Sequence, residues 1–270
     1  MKPLSFLFKN LRKKPKKIGL ALGGGAARGF AHLGVIQGLR DHNIPIDYLG
    51  GTSAGSIVGG FIAAGVPIEQ IVALIPKLRW KDFARIKFSR KSLFSSDPME
   101  KLMRSQIGDV KFKDLKIPFA PLATDLLTGQ AVAVNYPNLE VAKGVCASAS
   151  FPGVFTPYEI NGHHFVDGGA SANVPVGVVR DLGADVVIAV DIIPHVSITK
   201  VPKHMATIAD RGLDLLLHNV SQKLLEEADY VIKPFTKHFN SFGIKKGLDM
   251  IELGREAVEQ NIEEIKELVL

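Results

Sequence analysis

Cysteine is almost missing from this 270-residue sequence: Cys146 stands alone. A single thiol excludes an internal disulfide framework and fits a reducing compartment. Its small neighbours Val145, Ala147 and Ser148 point to a buried packing residue rather than a reactive one. Long hydrophobic runs are missing too. The longest begins at Ile57 and breaks at Glu69-Gln70, short of the roughly 18 residues that a membrane-spanning helix needs. The N-terminus offers only Leu4 to Phe8 as an apolar stretch and no small-residue cleavage site, so no signal peptide is expected. Acidic residues are absent before Asp41, whereas Lys2, Lys9, Arg12, Lys13, Lys14, Lys16, Lys17, Arg28 and Arg40 precede it. The net charge of +6 is therefore concentrated in a block that seeks phosphate, on nucleic acid or on an anionic membrane.

Within that block Leu4, Leu7, Phe8 and Leu11 share one helical face, with lysines elsewhere. Residues 1–16 thus form a basic amphipathic segment set apart from residues 17–270. It is either a helix lying in a membrane surface or a solvated tail. Nucleic acid is the poorer partner, because no aromatic platform accompanies the charges.

From residue 17 onward strands and helices alternate with no linker or repeat, the pattern of one α/β domain. An apolar strand, 17–22, stops at Gly23-Gly24-Gly25-Ala26-Ala27-Arg28-Gly29, and a helix is predicted over 30–41. A strand, a glycine loop and a helix converge backbone N–H groups on an anion. The loop lacks the Gly-Lys-Ser/Thr ending of a P-loop and the register of a dinucleotide fingerprint, so an oxyanion hole from Gly24, Gly25 and Ala26 fits best. A second strand, 46–49, leads to Gly51-Thr52-Ser53-Ala54-Gly55 and a helix over 56–64. Serine between strand and helix, with Gly51 and Gly55 two positions either side, is the pattern of a nucleophile elbow. The alternative is a tight turn whose serine only caps the helix.

Further on, residues 79–91 mix six cations with Trp80, Phe83 and Phe88, which suits a lid or a lipid boundary as well as a surface segment with tucked aromatics. Asp97-Pro98-Met99-Glu100 reads as a capping box. A hairpin turns at Asn161-Gly162 and leads into Asp167-Gly168-Gly169, where a carboxylate ends a strand. A long helix over 204–226, a short strand and one amphipathic helix over 248–270 complete the chain.

A serine hydroxyl needs a base within hydrogen-bond reach. A late histidine would serve, with His195 the best placed of His195, His204, His218 and His238. Asp167 would serve if it touches the serine and is partly desolvated.

The glycine loop, the Ser53 elbow and Asp167-Gly168-Gly169, in that order, resemble the three signatures of the patatin-like phospholipases, the bacterial branch above all. Phe30-Ala31-His32-Leu33-Gly34-Val35, Ala123-Thr124-Asp125 and Ala149-Ser150-Phe151-Pro152-Gly153 resemble its secondary motifs. The resemblance spans roughly residues 17–192. It implies a three-layer α/β/α fold with a central, mostly parallel sheet, related to the α/β-hydrolase architecture. It also implies a Ser53–Asp167 dyad acting without histidine, a glycine-loop oxyanion hole, and no metal or other cofactor. Ala26 departs from the family's third glycine, and Arg28 is implied to support the hole, against a reading as helix-surface charge. The expected activity is hydrolysis of phospholipid or lysophospholipid esters by a cytoplasmic protein, peripheral on the inner face of the membrane. A soluble esterase or thioesterase and a non-catalytic lipid-binding regulator are the rivals, and a homodimer stays open.

Overall fold

The computed structural model describes residues 15–87, 93–194, 197–199, 201–239, 241 and 243–269. The helix expected over residues 4–11 falls outside them, as do Phe88, Arg90, Lys91 and His195.

Strand β1 (Ile18–Leu22) is followed by α1 (Phe30–Asp41), and β2 (Tyr48–Thr52) runs straight into α2 (Ala54–Ala63). Next are α3 (Ile68–Leu74), the antiparallel pair β3 (Arg85–Ile86) and β4 (Phe94–Ser95), and α4 (Asp97–Ile107). Strands β5 (Phe119–Asp125) and β6 (Ala131–Ala133) precede α5 (Val141–Ser148). Strands β7 (Tyr158–Ile160) and β8 (His163–Asp167) form the expected hairpin, with Asn161 and Gly162 both at positive φ as a type I′ turn requires. Helix α6 (Val176–Asp181), β9 (Val186–Val190), α7 (Met205–Glu226), β10 (Tyr230–Ile232), α8 (Gly247–Glu259) and α9 (Ile262–Val269) follow.

The sheet runs β10-β9-β1-β2-β5-β8-β7, with β6 also on β5. Its first five strands are parallel, and β8, β7 and β6 are antiparallel additions. Side chains alternate across a strand, so the two faces build separate cores. Leu20, Leu22, Ile188 and Val190 meet α1, α2 and α8 on one face, while Ala21, Val187 and Ala189 meet α6 on the other. Small residues on the second face let α6 come close: a Cβ at Gly19 would stand 2.1 Å from Val179 Cγ1.

Helix α8 docks on α1 through glycines on both partners. A Cβ on Gly34 would lie 1.8 Å from the Ile251 carbonyl oxygen, and one on Gly254 2.1 Å from that of Ala31. The two backbones touch, with no side chain between them.

Several local expectations shift. Strand β2 continues to Thr52 rather than ending at Leu49, because Gly50 and Gly51 are strand residues here, chosen for close approach by α6 and α2. Helix α2 accordingly starts at Ala54. The capping box at Asp97 does not form: Ser96 precedes the helix, Ser95 Oγ takes the Asp97 N–H at 3.2 Å, and Asp97 pairs with Arg85 at 2.9 Å. Glu100 is drawn off by Arg104 and by the Tyr158 hydroxyl. The final helix is two, broken at Gln260-Asn261, where Asn261 accepts the Tyr230 hydroxyl at 2.7 Å.

Candidate active site

The sheet register assembles the three glycine-marked turns. Leu22 pairs with Gly51, so the glycine loop leaves β1 beside the elbow. Thr52 pairs with Leu122 of β5, and the next β5 residue, Ala123, pairs with Asp167. All three turns therefore meet at the carboxyl ends of β1 and β2, where β1 has one neighbour from earlier crossovers and one from later ones. Open α/β sheets place their binding crevices at such switch points.

Ser53 has φ 52° and ψ −117°, a conformation rarely adopted by a residue with a Cβ. The turn is closed by contact. A Cβ at Gly51 would stand 2.5 Å from the Gly55 oxygen, and one at Gly55 2.2 Å from the Leu22 oxygen. The serine side chain makes no helix-capping bond, which removes the cap reading. It instead lies close enough to Asp167 to act on the titration of that carboxyl. Helix α5 and the turn after it hold both residues in place: Ser148 Oγ accepts the Ser53 N–H at 3.0 Å, and the Ser150 carbonyl accepts the Asp167 N–H at 2.9 Å. Asp167 is fully buried, and that burial raises its carboxyl to about 6, against the lowering effect of the nearby Ser53 hydroxyl and of the Gly169 N–H at 2.8 Å.

The glycine loop differs from expectation at one residue. The Gly24 N–H is already given to the Asn173 carbonyl at 3.1 Å, as the Gly23 N–H is to Val190 at 3.0 Å. Gly24 is glycine for space, since a Cβ there would meet Asn173 Oδ1 at 2.6 Å and Ser53 Cβ at 3.3 Å. The amides of Gly25 and Ala26 have no acceptor among the described residues and remain available to a ligand. Ala26 adopts φ 51°, left-handed despite its Cβ, and is exposed, so the methyl meets solvent.

Two side chains brace this loop. His32 is wholly buried, and its Nε2–H donates to the Gly23 carbonyl at 2.7 Å; desolvation lowers the imidazole to about 4, so it is neutral at physiological pH. Arg28 is not helix-surface charge. It is 2% exposed, bidentate to Asp214 of α7 at 2.6 and 3.1 Å, and its Nε donates to the Phe239 carbonyl at 2.8 Å. Gly168 packs under Asp167, where a Cβ would meet the Leu122 oxygen at 2.2 Å.

Ser53, Asp167 and Gly25 line one side of a cavity of about 980 Å³, with apolar walls that include Phe61, Met99 and Leu217. Trp80, Phe83, Arg85 and Ile86 also line it, which brings residues 79–87 to the cavity as a lid would be; Trp80 and Phe83 pack edge to face at 6.3 Å. No histidine lines it among the described residues. His204 precedes α7, His218 faces Gln222 at 3.1 Å, His238 packs on Phe235, and His163 pairs with Asp125 at 3.0 Å. Cys146 is fully buried, and burial pushes its thiol well up, as for a packing residue. Among the described residues no cluster of His, Cys, Asp and Glu is placed to hold a metal ion, and no helix is long and apolar enough to cross a membrane.

Sequence reasoning missed Ser148, Asn173, Asp214 and the bracing role of His32. Only His32 carried a local signal, its place in the motif after the glycine loop; the other three act through pairings distant in sequence.

The patatin-like phospholipase family profile matches residues 20–180, more than half of the chain. An uncharacterized NTE family protein of Mycobacterium tuberculosis is 34% identical over 179 residues, 65% of this chain and 49% of the relative. Lysophospholipase NTE1 of Saccharomyces cerevisiae is 32% identical over 181 residues, 65% of this chain but 11% of its own length. The match thus spans half or less of these relatives. The crystal structure of VipD from Legionella pneumophila shares the fold, with a TM-score of 0.60 at 14% identity, covering 93% of this chain and 67% of that one. With a mostly parallel sheet flanked by helices, and the same signatures gathered at its strand ends, the chain belongs to the patatin-like phospholipase family.

Proposed function

We propose that this protein hydrolyses carboxylic esters of phospholipids or lysophospholipids through Ser53 and Asp167. The observation that carries the reading is the placement of Ser53 beside the buried carboxylate of Asp167 at the wall of a large apolar cavity. A carboxyl raised to about 6 is basic enough to take the serine proton and still ionised near neutrality. Ser53 Oγ attacks the ester carbonyl and Asp167 accepts its proton. The amides of Gly25 and Ala26 receive the oxyanion, each donor contributing about 3–4 kcal/mol to the transition state. Asp167 then protonates the departing alcohol and activates the water that frees the acyl group. Volume and lining suit an acyl chain, and the yeast relative's name favours a lysophospholipid. Arg28 supports the hole by fixing its loop to α7. Membrane attachment on the cytoplasmic side, through the basic residues before position 18, belongs to the same proposal.

A fluorophosphonate probe tests this reading. Wild type is expected to label, and Ser53→Ala and Asp167→Ala to lose labelling while remaining folded. Labelling that persists in Ser53→Ala would remove the assignment, and a folded wild type that never labels would favour a binding protein. A milder change tests the α5 brace. Ser148→Ala removes the acceptor of the Ser53 N–H and is expected to lower kcat about tenfold with KM little changed, the effect of one hydrogen bond. An unchanged kcat would show that the elbow holds itself.

A further inference from the structure

A second recess, of about 410 Å³, adjoins the acyl cavity and shares Leu78, Trp80 and Ile244 with it as a common wall. Its remaining lining is chemically different. Arg79, Lys245, Lys246 and His238 contribute to it, beside the Phe239 ring. None of the three permanent cations has a carboxylate partner among the described residues. The nearest acid in sequence, Asp82, binds the Arg79 backbone N–H at 2.7 Å rather than its guanidinium. One Arg79 nitrogen is anchored on the Pro76 and Leu78 carbonyls at 3.0 and 2.9 Å, which fixes the group and leaves its other donors available. Lys246 Nζ sits 5.4 Å from the Phe239 ring centre, a cation–π contact that holds the ammonium at the recess.

Three uncompensated cations around one small space repel one another and call for an anion with several acceptor oxygens. A carboxylate brings one charge and two oxygens; a phosphomonoester brings up to two charges and three free oxygens. The shared wall adds a second constraint, because the ligand's anionic part must lie next to an apolar space that reaches Ser53. An amphiphile whose phosphate is joined to an acyl ester meets both demands. We infer that this recess holds the phosphate of the lipid whose acyl chain fills the larger cavity, so that the protein selects phosphate-bearing esters over neutral ones. The inference rests on the acyl-hydrolase reading for its account of selectivity, but phosphate binding itself needs no turnover.

Trp80 is the only tryptophan in the chain and lines both spaces, so its emission reports occupancy of either. Ser53→Ala protein, unable to turn over, would be titrated with monomeric lysophosphatidic acid, with a monoacylglycerol of the same chain, and with inorganic phosphate. The expected result is a Kd at least tenfold lower for lysophosphatidic acid than for the monoacylglycerol, with the gap closed in Ser53→Ala/Lys245→Glu/Lys246→Glu. Equal Kd values for the two lipids, or a gap that survives the charge reversal, would overturn the inference. Inorganic phosphate binding as tightly as the lipid would reassign the recess to free phosphate and overturn it as well. In the enzyme with Ser53 intact, Lys245→Glu/Lys246→Glu is expected to lower the ratio of kcat/KM for lysophosphatidic acid over monoacylglycerol about 30-fold. A parallel fall on both substrates would instead mean lost structure and no phosphate site. If the fluorophosphonate test fails while the titration succeeds, the hydrolase reading falls and the phosphate site stands.

Discussion

Asp167→Asn is expected to give a folded protein that is more stable than wild type at pH 8 and slower by a factor of about 100 to 10,000 in kcat/KM. The rate loss follows from removing the carboxylate that, among the described residues, lies beside the Ser53 hydroxyl and can take its proton. Asparagine keeps the shape and one acceptor oxygen, so the Gly169 N–H and the Ser53 hydroxyl keep a partner. The gain in stability follows from the sign of the titration. The folded carboxyl sits at about 6, above its ordinary 3.8, because burial penalises the charged form. Below pH 3.8 the group is protonated in both states and costs nothing. Between 3.8 and 6 the folded state holds the extra proton, and stability falls as pH rises. Above 6 the full cost, about 3 kcal/mol, is present and constant. Asparagine removes that cost. The same ionisation sets the acid limb in wild type: kcat/KM is expected to fall about tenfold per pH unit below 6 and to level off above it. Chemical denaturation at pH 8 and a pH–rate profile check both halves. Wild-type turnover by the variant, or an acid limb that outlives the carboxyl, would show that another group is the base.

Gly34→Ala is expected to leave little soluble, folded protein, although alanine is ordinarily the better helix former by about 1 kcal/mol. The new methyl would stand 1.8 Å from the Ile251 carbonyl oxygen and 2.9 Å from the Arg255 nitrogen, both backbone atoms of α8. No rotamer relieves that contact, so the helices must separate. Separation would open the core that Leu33, Ile36, Met250 and Val258 fill between them. Overpacking of this kind costs several kcal/mol, against a total stability of about 5–15 kcal/mol. The loss should reach function too, because α1 begins at the glycine loop. A circular-dichroism melt decides the matter: a midpoint within a few degrees of wild type would mean that α8 is free to slide.

The parts legible in the sequence were those whose cause is local. The Ser53 elbow reads from two glycines, the hairpin from Asn161-Gly162, and α1 from its spacing, because each is fixed within one turn of the chain. The donors of the glycine loop were only partly legible. Three consecutive small residues offer three amides, and nothing nearby says that Gly24 spends its own on Asn173. Arg28 was implied to support the loop, but its anchors were not legible because Asp214 and the Phe239 carbonyl are far away in sequence. The capping box at Asp97 failed because Glu100 is taken by Arg104 one turn on and by the distant Tyr158 hydroxyl. Strand β2 was cut short because glycine ordinarily weakens a strand, and only the packed helices show why it is needed there.

The shape of the glycine loop is set by residues that arrive late. Gly23 hangs on Val190 and Gly24 on Asn173, while β1 has β9 as one of its two sheet neighbours. During synthesis the first strand and the elbow leave the ribosome long before those partners, and contacts so remote in sequence close slowly. The nascent chain therefore carries Ser53 before the loop of Gly24 to Ala26 has taken its folded shape. On the proposed reading, ester hydrolysis is expected only once the far half of the sheet has docked.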